Sequence, residues 1–259
     1  MVLVKYIDLN VDAGESFGRY KIGREEELFK YVTSANIACG YHAGDPSVMR
    51  NTVRLARKLG VEVGAHPGFP DLMGFGRRAM EIKKDDLENY LIYQVGALCA
   101  IARAEGVELQ HVKPHGALYN MAWTRRDYAE AVVAAINLFN PKLILIAPYG
   151  SEMHKAADEW GIKIAFEFFA DRNYRSDGRL VPRSHPLALV LNIEEAVNRA
   201  LRAVSESKVR TIDGVDIEVV INTICIHGDS PHATELAMSI RNRFEEVGIG
   251  IKPLKVFIK

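Results

Sequence analysis

Short apolar runs alternate with segments of helical period along the whole chain. Val2 to Leu9 is an apolar run that ends in polar residues, and Glu25 to Val32 reads as a helix. Ser34 to Cys39 is a second strand. Pro46 to Leu59 follows as a helix with Asp45 as its N-cap, and Gly60 stops it. Val61 to Ala65 is the third strand. Asp85 to Ala104 carries the clearest helical signal: Leu87, Leu91, Gln94, Val95, Leu98 and Ile101 recur at spacings of three and four, with Asp85 and Asp86 in the first turn. Leu109 to Pro114 and Lys142 to Ala147 are strands separated by a helix over Asp127 to Leu138. Glu152 to Trp160 is a helix and Ile162 to Phe168 a strand. Ile193 to Ser205 is helical, Ile217 to Ile226 is the seventh strand, and Pro231 to Val247 is the last long helix. The tail Ile249 to Ile258 alternates weakly and predicts an eighth or an edge strand.

Seven or eight βα units in a chain of 259 residues predict an α/β fold of the (β/α) TIM-like kind, a regular or distorted seven-stranded barrel. An open doubly wound sheet is the alternative, and it usually has fewer strands. No Pro/Gly/Ser-rich linker divides the chain, so a single domain over 1–259 is expected. The segment Asp171 to Pro186 is long, polar and rich in Arg, Gly and Pro, which suits a lid better than a plain connector.

A barrel carries its chemistry at the C-terminal ends of its strands. Six strand ends here run into polar clusters: DLNVDAGESFG (8–18), NIACGYHAGDP (36–46), GAHPGFPDLMGFGRR (64–78), HVKPHGALYN (111–120), FEFFADRNYRSDGRLVPR (166–183) and ICIHGD (224–229). The fifth ends quietly in IAPYG. Side chains alternate along a strand, so parity selects a common face. Asp8, Asn10 and Asp12 share parity, as do His111, Lys113 and His115, then Glu167 and Asp171, then Cys225, His227 and Asp229. An unpaired buried polar group costs about 1–3 kcal/mol, so a core without a task would not gather so many.

Each position has two readings. Asp8 and Asp12 suit a metal or base pair, or an Asx turn at the strand end. His42, His66 and His115 leave three strand ends and suit a divalent metal together with Asp12, although no HExxH or HxxxH spacing accompanies them; metal-free acid–base work suits them equally. Lys113 lies in an apolar stretch, where a lysine is rarely structural unless paired, and suits anion stabilisation. Glu167 lies between Phe166 and Phe168, a setting that suits a general acid or base; a salt bridge to Lys113 is the other reading. Arg77 and Arg78, with Arg172, Arg175, Arg179 and Arg183 of the long loop, suit a phosphate or carboxylate clamp, or a solvated charged loop.

Composition narrows the classes further. Lys+Arg and Asp+Glu both number 33, which argues against a partner held by a broad electrostatic field, such as nucleic acid or a membrane surface. The apolar runs are too short to span a bilayer, and the N-terminus lacks the layout of a secretory signal. Cys39, Cys99 and Cys225 form no CxxC pair, so a reducing cytoplasm is the expected location. GxxxxGK[ST], strand-linked GxGxxG and GxSxG are all missing, which removes the standard nucleotide cradle and the serine hydrolase elbow.

The blocks DLNVDAGESFG, ANIACGYHAGDP, GAHPGFPDLMGFGRR, VKPHGALYN, FADRNYRSDGRLVPR and ICIHGD resemble the LamB/YcsF family, the A subunits of prokaryotic ATP-dependent 5-oxoprolinases. Val11 takes a position that varies in the family's first block. The resemblance implies a distorted barrel related to polysaccharide deacetylases. It also implies hydrolysis of 5-oxo-L-proline to L-glutamate with ATP, and with Mg2+, in company with separate B and C subunits. On that reading Asp12, Lys113, His115 and Glu167 are catalytic. Asn10, Asn36, His42, His66, Arg77, Arg78 and Asp229 bind substrate or ATP. Two other classes fit the same residues: a metal-dependent amidohydrolase or carbohydrate deacetylase, and a non-catalytic binding subunit. The apolar alternation of the C-terminal tail suits an edge covered by another chain, and a homo-oligomer is a further expectation.

Overall fold

The computed structural model describes residues 6–228 and 232–259. In chain order its elements are β1 (Tyr6–Ala13), α1 (Glu25–Leu28), β2 (Ser34–Ala38), α2 (Pro46–Leu59), β3 (Glu62–His66), α3 (Lys84–Ala104), β4 (Leu109–Val112), α4 (Gly116–Thr124), α5 (Arg126–Phe139), β5 (Ile144–Ala147), α6 (Glu152–Trp160), β6 (Ile164–Phe169), α7 (Ile193–Glu206), β7 (Lys208–Arg210), β8 (Asp216–Glu218), β9 (Thr223–Ile226), α8 (Ala233–Glu246) and β10 (Gly250–Ile251). Strands β1, β2, β3, β4, β5, β6 and β9 pair in parallel in that order, and β9 returns to β1, closing a seven-stranded barrel. Among the described residues no helix is long and apolar enough to cross a membrane.

The barrel has two chemically distinct faces. Ile7, Leu9 and Val11 of β1, Ala35 and Ile37 of β2, Val63 and Ala65 of β3, and Ile224 and Ile226 of β9 join the main apolar core. The alternate positions are polar and buried: Asp8, Asn10, Ser34, Asn36, His66, His111, Lys113, Glu167 and Thr223. Register brings them side by side, with Asn10 opposite both Ser34 and Cys225, Asp12 opposite Asn36, and Glu167 opposite Thr223. Parity therefore sorts the strands as the sequence predicts, apolar toward the helices and polar toward the barrel axis.

Local signals set several boundaries as expected. The Asp45 side chain accepts from the Ser47 and Val48 amides and opens α2, and Gly60, in the left-handed region at φ 70°, ends it. Other boundaries differ. The expected helix over Glu25 to Val32 is one turn, because the chain leaves it to pack Phe29 and Val32 and to bond Thr33 to Leu9 on the way into β2. The expected strand Ile217 to Ile226 divides. Its first part is β8, which pairs antiparallel with β7 outside the barrel; Asn222 then bonds the Phe166 amide, and β9 begins at Thr223. The tail makes no full strand: Gly250 and Ile251 pair with the start of β1, and Leu254 packs on Ile144, Ile146 and Ala165. Residues Val2 to Lys5 of the first expected strand and Pro231 of the last expected helix lie outside the described residues.

The segment Asp171 to Pro186 forms one wall of the barrel mouth. Tyr174 stacks on Phe168 and its hydroxyl accepts from the Phe169 amide, while the buried Arg172 donates to the carbonyls of Val181 and Ala188.

Candidate active site

The C-terminal mouth of the barrel holds a cavity of about 540 Å³. Its floor includes Asp12, Glu15, His66, Lys113 and His115, and its rim Arg77, Arg172 and Arg183. Asp12 ends β1, His66 ends β3, and Lys113 and His115 follow β4, so barrel topology alone delivers these residues to one place.

Lys113 is the hub. Its Nζ lies 2.9 Å from Asp12 Oδ1, 2.8 Å from Glu167 Oε1 and 3.1 Å from Cys225 Sγ. Burial works to discharge it, but Asp12, Cys225 and Glu167 outweigh burial and hold it well above the ordinary lysine range. Burial would likewise protonate Asp12, yet His66 and Lys113 hold it well below the ordinary carboxylate range. The salt-bridge reading of Glu167 is the one seen. Phe166 and Phe168 flank it only along the chain, and its own side chain crosses the interior to Lys113. Burial and the charge of Glu167 in turn push the Tyr119 phenol well above its ordinary range.

A layer of amides below Asp12 fixes its orientation. Asn36 Nδ2 donates to Asp12 Oδ1 at 2.8 Å and to Asn10 Oδ1 at 2.7 Å. His111 Nε2 lies 2.7 Å from Asn36 Oδ1, which can only accept, so that nitrogen carries the hydrogen; Gln110 Nε2 meets His111 Nδ1 at 3.1 Å. Burial, then the Lys113 charge, pushes His111 down to about 3, so the ring is neutral. Gly64 makes room for it: a Cβ there would lie 2.0 Å from His111 Nε2. Asn10 Nδ2 donates to Thr223 Oγ1, which donates to Asp8 Oδ2. Asp8 also accepts from Thr33 and Ser34, and burial raises it to about 6. Asp8 is thus neither an Asx turn nor a partner of Asp12. It anchors the polar layer from beneath.

The three histidines converge. His66 Nε2 and His115 Nδ1 are 2.9 Å apart, and His42 stacks on His115 with ring centroids 3.7 Å apart. Gly76, at φ 64°, lets the loop pass over them: a Cβ there would meet His42 Cβ at 2.7 Å and His115 Cδ2 at 2.8 Å. Burial, reinforced by the neighbouring histidines, holds His42 and His115 well below the ordinary histidine range. With Glu15 they form a set of metal-type donors; Asp12 has its Oδ2 3.4 Å from His66 but gives Oδ1 to Lys113.

The two loop arginines separate. Arg77 lines the cavity and lies over the Phe75 ring at 5.0 Å. Arg78 stands off the cavity wall, where it clamps Asp71, and the Asp71 carboxylate also accepts from the Gly74 amide. Arg172 is pushed down to about 10, first by burial and then by the charge of Arg183, with Arg77 adding to it, so the three cations are close neighbours. Asp171, the nearby carboxylate, is bonded to His227 Nδ1 at 2.7 Å. Asp229 lies outside the described residues.

Glu15 and Tyr119 escaped the sequence reading. Glu15 lies past the end of β1, where strand parity no longer tells direction. Tyr119 belongs to α4, whose sequence GALYNMAWT is apolar almost all round and gives no amphipathic signal.

Comparison with known proteins agrees with this architecture. The chain is 53% identical over 253 residues to a protein named as the A subunit of 5-oxoprolinase from Pyrococcus horikoshii, spanning 98% of this chain and 99% of that one. It is 50% identical over 245 residues to the 5-oxoprolinase A subunit of Bacillus subtilis, spanning 95% of each. The crystal structure of a lactam utilization protein from Thermus thermophilus superposes with a TM-score of 0.91 at 44% identity, over 95% of this chain and 99% of that one. The LamB/YcsF family model matches residues 7–259, from the second described residue of β1 to the C-terminal Lys259, and with that span and those identities the chain belongs to the LamB/YcsF family.

Proposed function

We propose that this chain is the A component of an ATP-dependent 5-oxoprolinase. It opens the lactam ring of 5-oxo-L-proline with water to give L-glutamate, in the cytoplasm, as one barrel domain working with B and C subunits. The names of its relatives support the reaction, and three buried free cysteines suit a reducing compartment.

The observation that carries the reading is Asp12: a carboxylate on the cavity floor, held charged by Lys113 and aimed by Asn36. The substrate is a small cyclic amide with one carboxylate. Its amide carbon resists water until the carbonyl oxygen is activated, and transfer of a phosphoryl group from ATP provides that activation. Asp12 is then the base for the attacking water. Lys113 helps hold Asp12 charged and pairs with Glu167, and Asn10 and Asn36 position Asp12. Arg77, Arg172 and Arg183 at the rim suit the substrate carboxylate and the transferred phosphoryl group. Because the chain has no P-loop, ATP with Mg2+ is held by the assembled complex, and this chain offers its arginine rim to the transferred group.

Glutamate release from 5-oxoproline tests the reading, with and without ATP, by this chain alone and mixed with candidate B and C subunits. Release only with ATP and all partners is expected. ATP-independent release by the chain alone would replace this reading with a simple amidohydrolase.

A further inference from the structure

His66 Nδ1 lies 2.7 Å from the Lys113 carbonyl oxygen, and His115 Nε2 lies 2.8 Å from the Phe75 carbonyl oxygen. A carbonyl only accepts, so both of these nitrogens carry hydrogen. In neutral rings the remaining nitrogens, His66 Nε2 and His115 Nδ1, are bare lone pairs that face each other at 2.9 Å, and Asp12 Oδ2 lies 3.4 Å from His66 Nε2, so a cation at this point meets a carboxylate as well. Two lone pairs held that close call for a cation.

The surroundings decide between a proton and a metal ion. His42 is fully buried against His115, and neither of its nitrogens has a hydrogen-bond partner. Glu15 Oε1 lies 3.8 Å from His42 Nε2 and 3.9 Å from His115 Nδ1. One donor atom from each of Glu15, His42, His66 and His115 lies within 4.8 Å of all the others. A proton shared by His66 and His115 would leave both His42 nitrogens orphaned in the interior, whereas a metal ion takes one of them as a ligand, a difference of about 1–3 kcal/mol. The other group of metal-type donors, Asp12, Cys225 and His227, already faces a cation, the Lys113 ammonium.

We propose that Glu15, His42, His66 and His115 form a divalent metal centre of the zinc or iron(II) class. Three imidazoles and one carboxylate match that class. The Lys113 and Phe75 carbonyls orient two of the ligand rings, the usual task of groups behind a metal site. Glu15, His66 and His115 line the cavity while His42 closes the site from behind, so the centre faces the space a carbonyl or phosphoryl oxygen would enter. The inference concerns binding and holds whatever the reaction.

The test is titration of the chelator-treated full chain with Zn2+ by calorimetry and with Co2+ by visible absorption. Expected are one equivalent of Zn2+, Co2+ bands of a four- or five-coordinate site, and a melting temperature that rises with metal. Glu15→Gln, which keeps the side-chain volume, and His115→Ala should each weaken binding about 10-fold or more. His154→Ala and His185→Ala, outside the cavity, should not change it. Melting without metal separates misfolding from ligand loss. The absence of a stoichiometric site in the wild type, or equal affinity in folded Glu15→Gln, would overturn the proposal and leave a shared proton.

Discussion

Lys113 Nζ and Glu167 Oε1 sit 2.8 Å apart in the barrel interior, with side chains only 3% and 0% exposed. The same ammonium lies 2.9 Å from Asp12 Oδ1 on the cavity floor, so one cation faces two carboxylates. Lys113→Met leaves that like-charged pair uncompensated. It is expected to lower stability by about 3–5 kcal/mol in chemical denaturation and to abolish glutamate formation. Adding Glu167→Gln should recover part of the stability but none of the activity. A double variant no more stable than Lys113→Met would contradict the pairing.

The packing of Gly64 against His111 gives a prediction about shape. Gly64→Ala drives a methyl into the imidazole, so the bond from His111 to Asn36 must break. A loss of about 1–3 kcal/mol in thermal or chemical denaturation is expected. Gly96→Ala in α3 is the control: its Cβ would have only Phe139, at 3.8 Å, as a neighbour, and it should hold or raise stability. Equal losses in the two variants would refute the argument.

Asp8 makes a pH-dependent contribution. Burial raises its carboxyl from 3.8 to about 6, so folding favours the protonated form. Its contribution is fully present below pH 4, falls as pH rises through about 6, and is flat above. The difference amounts to about 3 kcal/mol. Asp8→Asn cannot ionise. Its stability relative to wild type should therefore rise between pH 4 and pH 6–7 in denaturation at fixed temperature, whereas a constant offset would contradict the shift.

Two adjacent arginines should behave differently. Arg77 faces the cavity, and Arg78 clamps Asp71 beside it. Arg77→Ala removes a charged hydrogen-bond donor worth about 1.5–3 kcal/mol and should raise the KM for 5-oxoproline about 10–100-fold, with little change in melting temperature. Arg78→Ala should leave KM within a few-fold and loosen the 71–78 loop, read as faster proteolysis there.

The legible part of this fold was the part that repeats. Each parallel strand ends at the same mouth, so polar clusters after the strands marked the site, and parity put Asn10, Asp12, Lys113 and Glu167 on one interior face. The roles within that face depended on partners far along the chain. Lys113 meets Asp12 across about a hundred residues, and no local pattern shows that its ammonium is shared between two carboxylates. Asn36 looked like a substrate ligand but is fully buried under Asp12. The run Ile217 to Ile226 reads as one strand because Val219, Val220 and Ile221 lead as an apolar run toward β9, and the break shows only in bonds to other elements, the pairing of β8 with β7 and the bond from the Phe166 amide to Asn222. Helix α4 was missed because a helix buried on most sides has no polar stripe.

The measurement that tests the central claim most directly places the chemistry in this chain. Complexes assembled from B and C subunits with either the wild-type chain or Asp12→Asn are given 5-oxoproline and ATP, and glutamate is quantified alongside proof of assembly. The wild-type complex should release glutamate, and the Asp12→Asn complex should assemble equally and release at least about 100-fold less. An assembled Asp12→Asn complex that turns over at the wild-type rate would place the hydrolysis in the partner subunits and contradict the account.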